Sequence, residues 1–315
     1  MRWNTFIILL MIFIIIIFLF YDKETFETET VPPIPITFHS FWGDVNNDLT
    51  IVNLFRSILP SKNYNEIQVY SVFGGGPSIK DPNVLYVQFS GERHYHDPQG
   101  FDINFIPAIP DDTNKVVVFP YSAFQTLINA VSPEYNINRF LEPRKYQNPE
   151  KFCLFSVGNG SNSQRNHFFQ ELCTYKKVDS CGSHMNNLGM NCPGGHSSPE
   201  YLDFISHYKF MICFENSSQP NYYTEKLMNA YYGGTIPIYW GDPLIFDKVN
   251  PDAILYLKPE FTKDDVNDLI SEIRRLDNDD DAYRKKHSCP LFKNGQLPDC
   301  FDIDKIRKLV EMKIS

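Results

Sequence analysis

Two short apolar runs, KFMICFE (209–215) and TIPIYWG (235–241), enclose one helical stretch, TEKLMNAYY (224–232). Runs of this length, rich in aromatic and branched side chains and bounded by turn residues, read as strands buried on both faces. Strands linked through a helix pair in parallel, and the crossover is right-handed. This unit commits the chain to a layered α/β fold. Thr224 is the expected N-cap of the helix and Gly233 its left-handed stop. The same alternation runs along the rest of the sequence. ITFHSFWGD (36–44), EIQVYSVF (66–73), VLYVQFSGE (84–92), INFIPAI and VVVFPY read as strands, and DLTIVNLFRSIL (48–59) as a helix. FCLFSVGNG (152–160) opens a second series, continued by the helical SQRNHFFQELCTY and SSPEYLDFISHY (197–208). Between the two series lies EPRKYQNPEK (142–151), rich in proline and charge. The pattern therefore predicts two α/β units, 37–150 and 151–315, each of ordinary domain size.

The polar residues inside the first-quoted unit need a reason. In a parallel sheet, ligands collect beyond the carboxyl ends of the strands, where the loop 215–223 leaves and Thr224 starts a helix. A helix N-terminus offers unpaired N–H groups and about half a positive charge, which suits a phosphate. Lys226 in the first turn opposes the helix dipole, so anion binding explains it better than stability does. Glu225 can accept bonds from sugar hydroxyls, and Tyr222 or Tyr223 can stack on a base or a sugar. Spacing alone leaves a second reading open, a capped surface helix with a chance Lys–Glu neighbour pair. The net charge of -9 over 315 residues narrows the ligand. Binders of nucleic acid are normally basic, so a small anion met by a few placed cations is expected.

The N-terminus differs from the rest. Arg2 precedes the uncharged run FIILLMIFIIIIFLFY (6–21), and acids follow it. At about 1.5 Å per residue the run spans roughly 24 Å, near the lower limit for a bilayer. No small-residue cleavage site follows. Residues 1–21 therefore read as an uncleaved signal-anchor helix, with the N-terminus cytoplasmic by the positive-inside rule. Residues 22–36, acidic and then proline-rich, read as a stem. That topology describes a single-pass type II membrane protein whose body lies in a lumen or outside the cell. Seven cysteines, none in a CxxC pair, are consistent with it. Cys289 and Cys300, which enclose a short Pro/Gly loop, are the best disulfide candidates, and Cys181 with Cys192 a weaker one.

FENSSQPNYYTEKLMNAYYGGTIPIYWG (214–241) resembles the donor-site motif of the α1,3/4-fucosyltransferases, glycosyltransferase family 10. The family pattern is FEN, a variable spacer, Y-x-TEK, a small-residue turn and IP-[IV]-x-x-G. QRNHFFQELCTYKKVDSCGSHMNN (164–187) is similar to the family's Arg-bearing helix and its VD-x-x-G-x-x-x-NN stretch. SHYKFMICFEN matches the strand leading into the motif. FWGD (41–44), YSVFG (70–74), SGE (90–92) and FDINF (101–105) are weaker matches in the right order. The likeness covers most of residues 37–260.

The resemblance implies two Rossmann-like domains facing a cleft, the GT-B architecture. The acceptor domain would be 37–150 and the GDP-fucose domain 151–315. It implies an inverting enzyme that moves L-fucose from GDP-fucose to a glycan hydroxyl, at the 3- or 4-position of GlcNAc or glucose, with no essential divalent metal. By motif position, Lys226 and Arg165 bind the diphosphate. Asn216, Tyr222 and Glu225 contact the ribose or the fucose, and Glu92 matches the catalytic base. The expected setting is the Golgi or another secretory-pathway membrane. Two alternatives are a two-domain glycosyltransferase using another nucleotide sugar and a membrane-anchored glycan-binding protein without turnover. The second would be expected to lack Glu92, Arg165 or Lys226, and all three are present. Asp302-Ile303-Asp304 and Asp279–Asp281 mimic a metal-binding Asp-x-Asp but read as solvated helix faces. His94 and His96 alternate as if on a strand, and no third metal ligand accompanies them.

Overall fold

The computed structural model describes residues 33–60, 63–110 and 113–314. The apolar run 6–21 and most of the stem lie outside these residues. Among those described, no helix is long and apolar enough to cross a membrane.

The first apolar runs pair in parallel as β1 (Ile36–His39), β2 (Glu66–Ser71), β3 (Val84–Phe89), β4 (Ile103–Ile106) and β5 (Val116–Val118), in that order across the sheet. A Rossmann sheet reverses its strand order part-way, and this one does not. The reason lies in the crossovers. Only β1 and β2 are joined through an α-helix, α1 (Leu49–Ile58). The connections 72–83, 90–102 and 107–115 are short and irregular, so each strand reaches only the neighbouring position. α2 (Tyr121–Asn129) follows β5 and packs beside α1. Phe55, Phe89, Phe105, Phe119 and Phe124 fill the space under these helices, each at most 1% exposed. Phe89 lies 4.4 Å from Phe124 and 5.9 Å from Phe55, ring to ring. Burying such a side chain contributes about 1.5–3 kcal/mol, so this cluster dominates the first core.

The second sheet comprises β6 (Lys151–Phe155), β7 (Asp179–Ser180), β8 (Tyr208–Phe214), β9 (Ile236–Trp240) and β10 (Leu255–Leu257), all parallel, in the order β7-β6-β8-β9-β10. Counted within this half the order is 2-1-3-4-5, a doubly wound sheet whose switch point lies between β6 and β8. α3 (Ser163–Tyr175), α6 (Lys263–Asn278) and α7 (Asp280–His287) share one core with this sheet. α4 (Pro199–Ser206) and α5 (Glu225–Tyr232) pack together and contact β8. α8 (Ile303–Ile314), last in the chain, returns to the first sheet. Ile306 and Val310, one helical turn apart, are buried there. Arg307 Nε donates to Ser57 O at 2.7 Å, and Lys313 Nζ to Thr113 O at 2.8 Å.

Residues Ile36–Ser315 pack as one unit. α2 lies against α5, where Ser122 N donates to Tyr223 O at 3.2 Å. The connecting segment is latched by Arg144, which donates to Tyr231 O (2.9 Å), Thr235 O (2.7 Å) and His287 O (2.9 Å). Two of those carbonyls belong to the C-terminal ends of α5 and α7, whose negative dipole ends take the place of a carboxylate. Burial pulls the Arg144 pKa down to about 10, which leaves it a cation.

The cysteines correct the sequence expectation. Cys181 and Cys192 form the disulfide, while Cys289 and Cys300 are free. Cys289 Sγ turns back to Lys285 O at the end of α7 (3.4 Å). The segment after it pairs through Phe292 with Val249. Its Pro/Gly loop therefore crosses the fold rather than closing on itself.

Candidate active site

The site starts from a carboxylate that sequence reading passed over. Glu215 follows the last residue of β8 and is fully buried. It accepts from Thr224 N and Thr224 Oγ1, both at 2.7 Å, and from Lys226 Nζ at 3.5 Å. Thr224 stands at the N-cap position of α5 but makes no side-chain cap bond: its hydroxyl donates to Glu215 and its oxygen accepts from Lys226 Nζ instead. The first-turn N–H groups are thus left without a side-chain cap. At the other end, Gly233 is right-handed (φ -69°). The left-handed residue is Gly234 (φ +97°), one position later than expected.

Lys226 is gripped from three sides. Its Nζ donates to Thr224 Oγ1 at 2.8 Å and lies 3.5 Å from both Glu215 and Glu225 carboxylates. Burial works against its charge, yet the two carboxylates outweigh burial and hold its pKa above the usual lysine range. The carboxylates respond differently. Burial pushes Glu215 up despite Lys226 and Thr224. Glu225 is held below the usual range, burial being outweighed by Lys226, its own backbone N–H and His196. The direction for Glu225 is consistent with a charged pair, and we take Glu225 and Lys226 as the ion pair and Glu215 as its buried anchor.

Arg165 reaches the same place from the switch point. Asn162 caps α3 by accepting from Arg165 N (3.1 Å), and its amide donates to Glu215 O (2.9 Å). The Arg165 guanidinium, 1% exposed, donates to Phe214 O (3.3 Å), to Asn216 Oδ1 (3.0 Å) and to Asn159 O. These acceptors lie just past the carboxyl ends of β6 and β8, where a doubly wound sheet binds its ligand. Nε of Arg165 is buried without a partner. Burial lowers the Arg165 pKa, Glu215 and Tyr222 opposing it.

Two adjoining cavities meet here. One, of about 240 Å³, is lined by Gly158, Asn159, Arg165, Asn216, Glu225 and Lys226. The other, of about 300 Å³, shares Asn216, Glu225 and Lys226 and adds Tyr222, Glu92 and Tyr121. The structure therefore gathers all six residues singled out in the sequence, Glu92, Arg165, Asn216, Tyr222, Glu225 and Lys226, around one connected space. Glu92 follows β3 and is half-buried, its backbone N–H donating to Ser90 Oγ (3.2 Å). Gly91 beside it lets the Tyr121 ring approach closer than any Cβ would permit. Tyr121 and Tyr222 line this cavity together with Glu92 and Lys226. Burial, then neighbouring carboxylates, push both phenols up to about 12.

Several expectations resolve otherwise. Tyr223 is buried near Lys248 and lines neither cavity, leaving Tyr222 as the tyrosine of the pair that faces the site. His94 and His96 are not on a strand: His96 Nε2 pairs with Ser71 O at 3.3 Å and His94 is exposed. Asp279 and Asp302 serve as helix caps, accepting from Ala282 N (3.0 Å) and from Asp304 N (3.0 Å). His196, which lines both cavities, carries no motif that could have marked it. Glu215 had a signal, being the middle residue of FEN at a strand end.

Two parallel sheets, one with its switch point opening on Arg165 and Lys226, define the class as an α/β fold. A solved α1,3-fucosyltransferase shares that fold with a TM-score of 0.68, over 92% of each chain at 21% identity. A second, solved with GDP-fucose, gives 0.65 over 90% of each chain, also at 21%. Residues 146–289 match the model of the glycosyltransferase family 10 (fucosyltransferase) C-terminal region. This match takes in a little under half of the chain. It is 34% identical over 127 residues to the alpha-(1,3)-fucosyltransferase FucT of Helicobacter pylori, covering 40% of this chain and 25% of that protein. It is also 34% identical over 125 residues to human GDP-fucose protein O-fucosyltransferase 3, covering 38% and 26%. The aligned part thus spans about a quarter of these relatives.

Proposed function

We propose that this protein is an inverting fucosyltransferase that moves L-fucose from GDP-fucose to a hydroxyl of a glycan acceptor. One observation carries the reading: Arg165 and Lys226 line one cavity at the switch point beside the uncapped start of α5, and Lys226 and Glu92 line the adjoining one. The diphosphate of the donor lies against Arg165, a forked donor, and Lys226, a point charge. As the bond from fucose C1 to the β-phosphate oxygen breaks, its electron pair stays on that oxygen. Both cations and the first-turn N–H groups of α5 stabilise the charge that develops there. Glu92, ionised, takes the proton of the acceptor hydroxyl while the hydroxyl oxygen bonds to C1 from the opposite face. Attack from that face inverts the anomeric centre, through the oxocarbenium-like state common to glycosyl transfer. Asn216, Tyr222 and Glu225 hold the ribose or the fucose.

The 3- or 4-hydroxyl of GlcNAc or glucose is the proposed acceptor position, in line with the α1,3-fucosyltransferase relatives. We further propose that residues 6–21 anchor the protein as a type II membrane protein of the Golgi or another secretory membrane. The Cys181–Cys192 disulfide supports a body on the oxidising side. The test is transfer from GDP-fucose to N-acetyllactosamine, with and without EDTA, by protein beginning at residue 30. Product that survives EDTA and falls at least a hundredfold in Glu92→Gln and in Lys226→Ala supports the scheme. Absence of GDP-fucose binding would overturn it.

A further inference from the structure

The loop between β7 and α4 carries His196 to the point where the two cavities of the site meet. Two ties hold it there. Behind it, the Cys181–Cys192 disulfide closes the loop, and Cys192 Sγ lies 3.0 Å from Ser156 Oγ at the carboxyl end of β6. Ahead of it, the Ser197 hydroxyl donates to Asn229 Oδ1 at 2.7 Å. Asn229 lies one turn along α5 from Glu225, on the same helix face. The residue before Ser197 is thereby brought beside Glu225, and His196 helps to hold that carboxyl down. The His196 ring also meets the Tyr201 ring edge-on, with centroids 6.0 Å apart. His196 is exposed, yet it lines both cavities together with Glu225 and Lys226.

The two cavities are short of positive charge. Arg165 and Lys226 supply it, while Glu225 and Glu92 oppose it and Glu215 is held against Lys226 from behind. Tyr121, Tyr201 and Tyr222 also line them, but burial pushes all three phenols up, so they are neutral near pH 7. Glu200, in the first turn of α4, is spent on its own backbone N–H and on Ser198. The lining charges therefore cancel before a ligand arrives, and each phosphate of a sugar diphosphate brings a further negative charge. Among the described residues that line either cavity, His196 is the remaining side chain that can become a cation. Histidine is also the side chain whose charge changes near neutrality. Resting on the transfer reading above, we propose that His196 is the third cation of the donor site and takes up a proton from solvent as the diphosphate binds. Its imidazolium N–H then donates to the diphosphate, and offsets the charge left on the β-phosphate oxygen when the bond to fucose C1 breaks.

The experiment is calorimetric titration with GDP-fucose in the absence of acceptor. Neither phosphate of that ligand titrates near neutral pH, so a proton taken up goes to the protein. Repeating the titration at pH 7.5 in buffers of different ionisation heat counts those protons. The unmodified protein is expected to take up roughly half a proton or more per GDP-fucose. Its Kd should rise about tenfold from pH 6.0 to pH 8.5, a hydrogen bond to a charged group being worth about that or more. His196→Gln, at an exposed position, should bind about tenfold more weakly at pH 6.0, take up no proton and lose the pH dependence. His196→Lys keeps its charge at every pH tested, so it should restore affinity at pH 8.5, again without proton uptake. A merely structural role would not move the proton count. Binding without proton uptake by the unmodified protein would overturn the proposal and leave the donor site standing. The same holds for an uptake that His196→Gln retains, which would belong to a carboxyl such as Glu215, and for a lysine variant no tighter than the glutamine one at pH 8.5. If the unmodified protein does not bind GDP-fucose, the transfer reading and the third cation fall together.

Discussion

Replacing Lys226 by methionine keeps the stem of the side chain and removes the ammonium. What remains is Glu215, fully buried, and Glu225, its side chain 14% exposed, with their shared cation gone. Removing one partner of a buried pair costs about 3–5 kcal/mol, because the other charge stays behind. The contacts to Lys226 are long, 3.5 Å, and Lys226 is 22% exposed, which favours the lower end. At roughly 2–4 °C per kcal/mol for a body of this size, the melting temperature should fall by about 6–12 °C at pH 7.5. The sign of the pH dependence is fixed by the same argument. Without Lys226, the burial that already raises Glu215 is opposed less, so the unfolded state releases that proton first as pH rises. The deficit of the variant is therefore largest above neutrality and shrinks as pH falls and Glu215 takes up its proton. Thermal melts of both proteins side by side at pH 7.5, 6.0 and 5.0 measure it. A deficit below about 2 °C at pH 7.5, or one that does not change with pH, would refute the claim that Lys226 neutralises a buried carboxylate cluster.

Glu92→Gln should lower kcat at least about a hundredfold with the affinity for GDP unchanged, since general base catalysis contributes 10²–10⁴; a weaker GDP complex, measured calorimetrically, would place Glu92 in donor binding instead. Arg165→Lys keeps the charge but cannot span Phe214 O, Asn216 Oδ1 and Asn159 O together, so KM for GDP-fucose should rise roughly tenfold or more, one lost charged bond being worth about 1.5–3 kcal/mol. His287 is buried, and burial together with Arg144 lowers its pKa to about 4. Its contribution is present in full above pH 6.5 and lost as pH falls toward 4, about 3 kcal/mol in all; denaturant melts across that range should show this slope reduced in His287→Gln. Removing the Cys181–Cys192 bond by serine substitution should cost about 3 kcal/mol for a loop of this length, whereas Cys289→Ser with Cys300→Ser should leave reducing-agent sensitivity unchanged.

The sequence by itself determined a good deal. Periodicity and turn residues placed β8, α5 and β9 within a residue or two of their observed bounds, because a buried strand-helix-strand unit leaves its apolar spacing in the local sequence. The residues expected to hold the donor were marked by the family resemblance rather than by spacing: Asn216, Tyr222, Glu225 and Lys226 lie on one continuous stretch and line one cavity. Other features were decided only by tertiary structure. Strand order depends on how far each crossover reaches, so the sequential first sheet and the switch point beside Arg165 could not be read locally. The partners of Thr224 depend on Glu215, nine positions away, and that contact moves the hydroxyl from capping a helix to holding a carboxylate. Cys289 and Cys300 are near in sequence, yet the bridge from Phe292 to Val249 carries the chain between them across the fold. His196 and Tyr121 reach the cavity from separate elements, and α8 returns across the molecule to the first sheet. Sequence spacing fixes which residues share an element, while burial of apolar faces between distant elements decides which elements share a site.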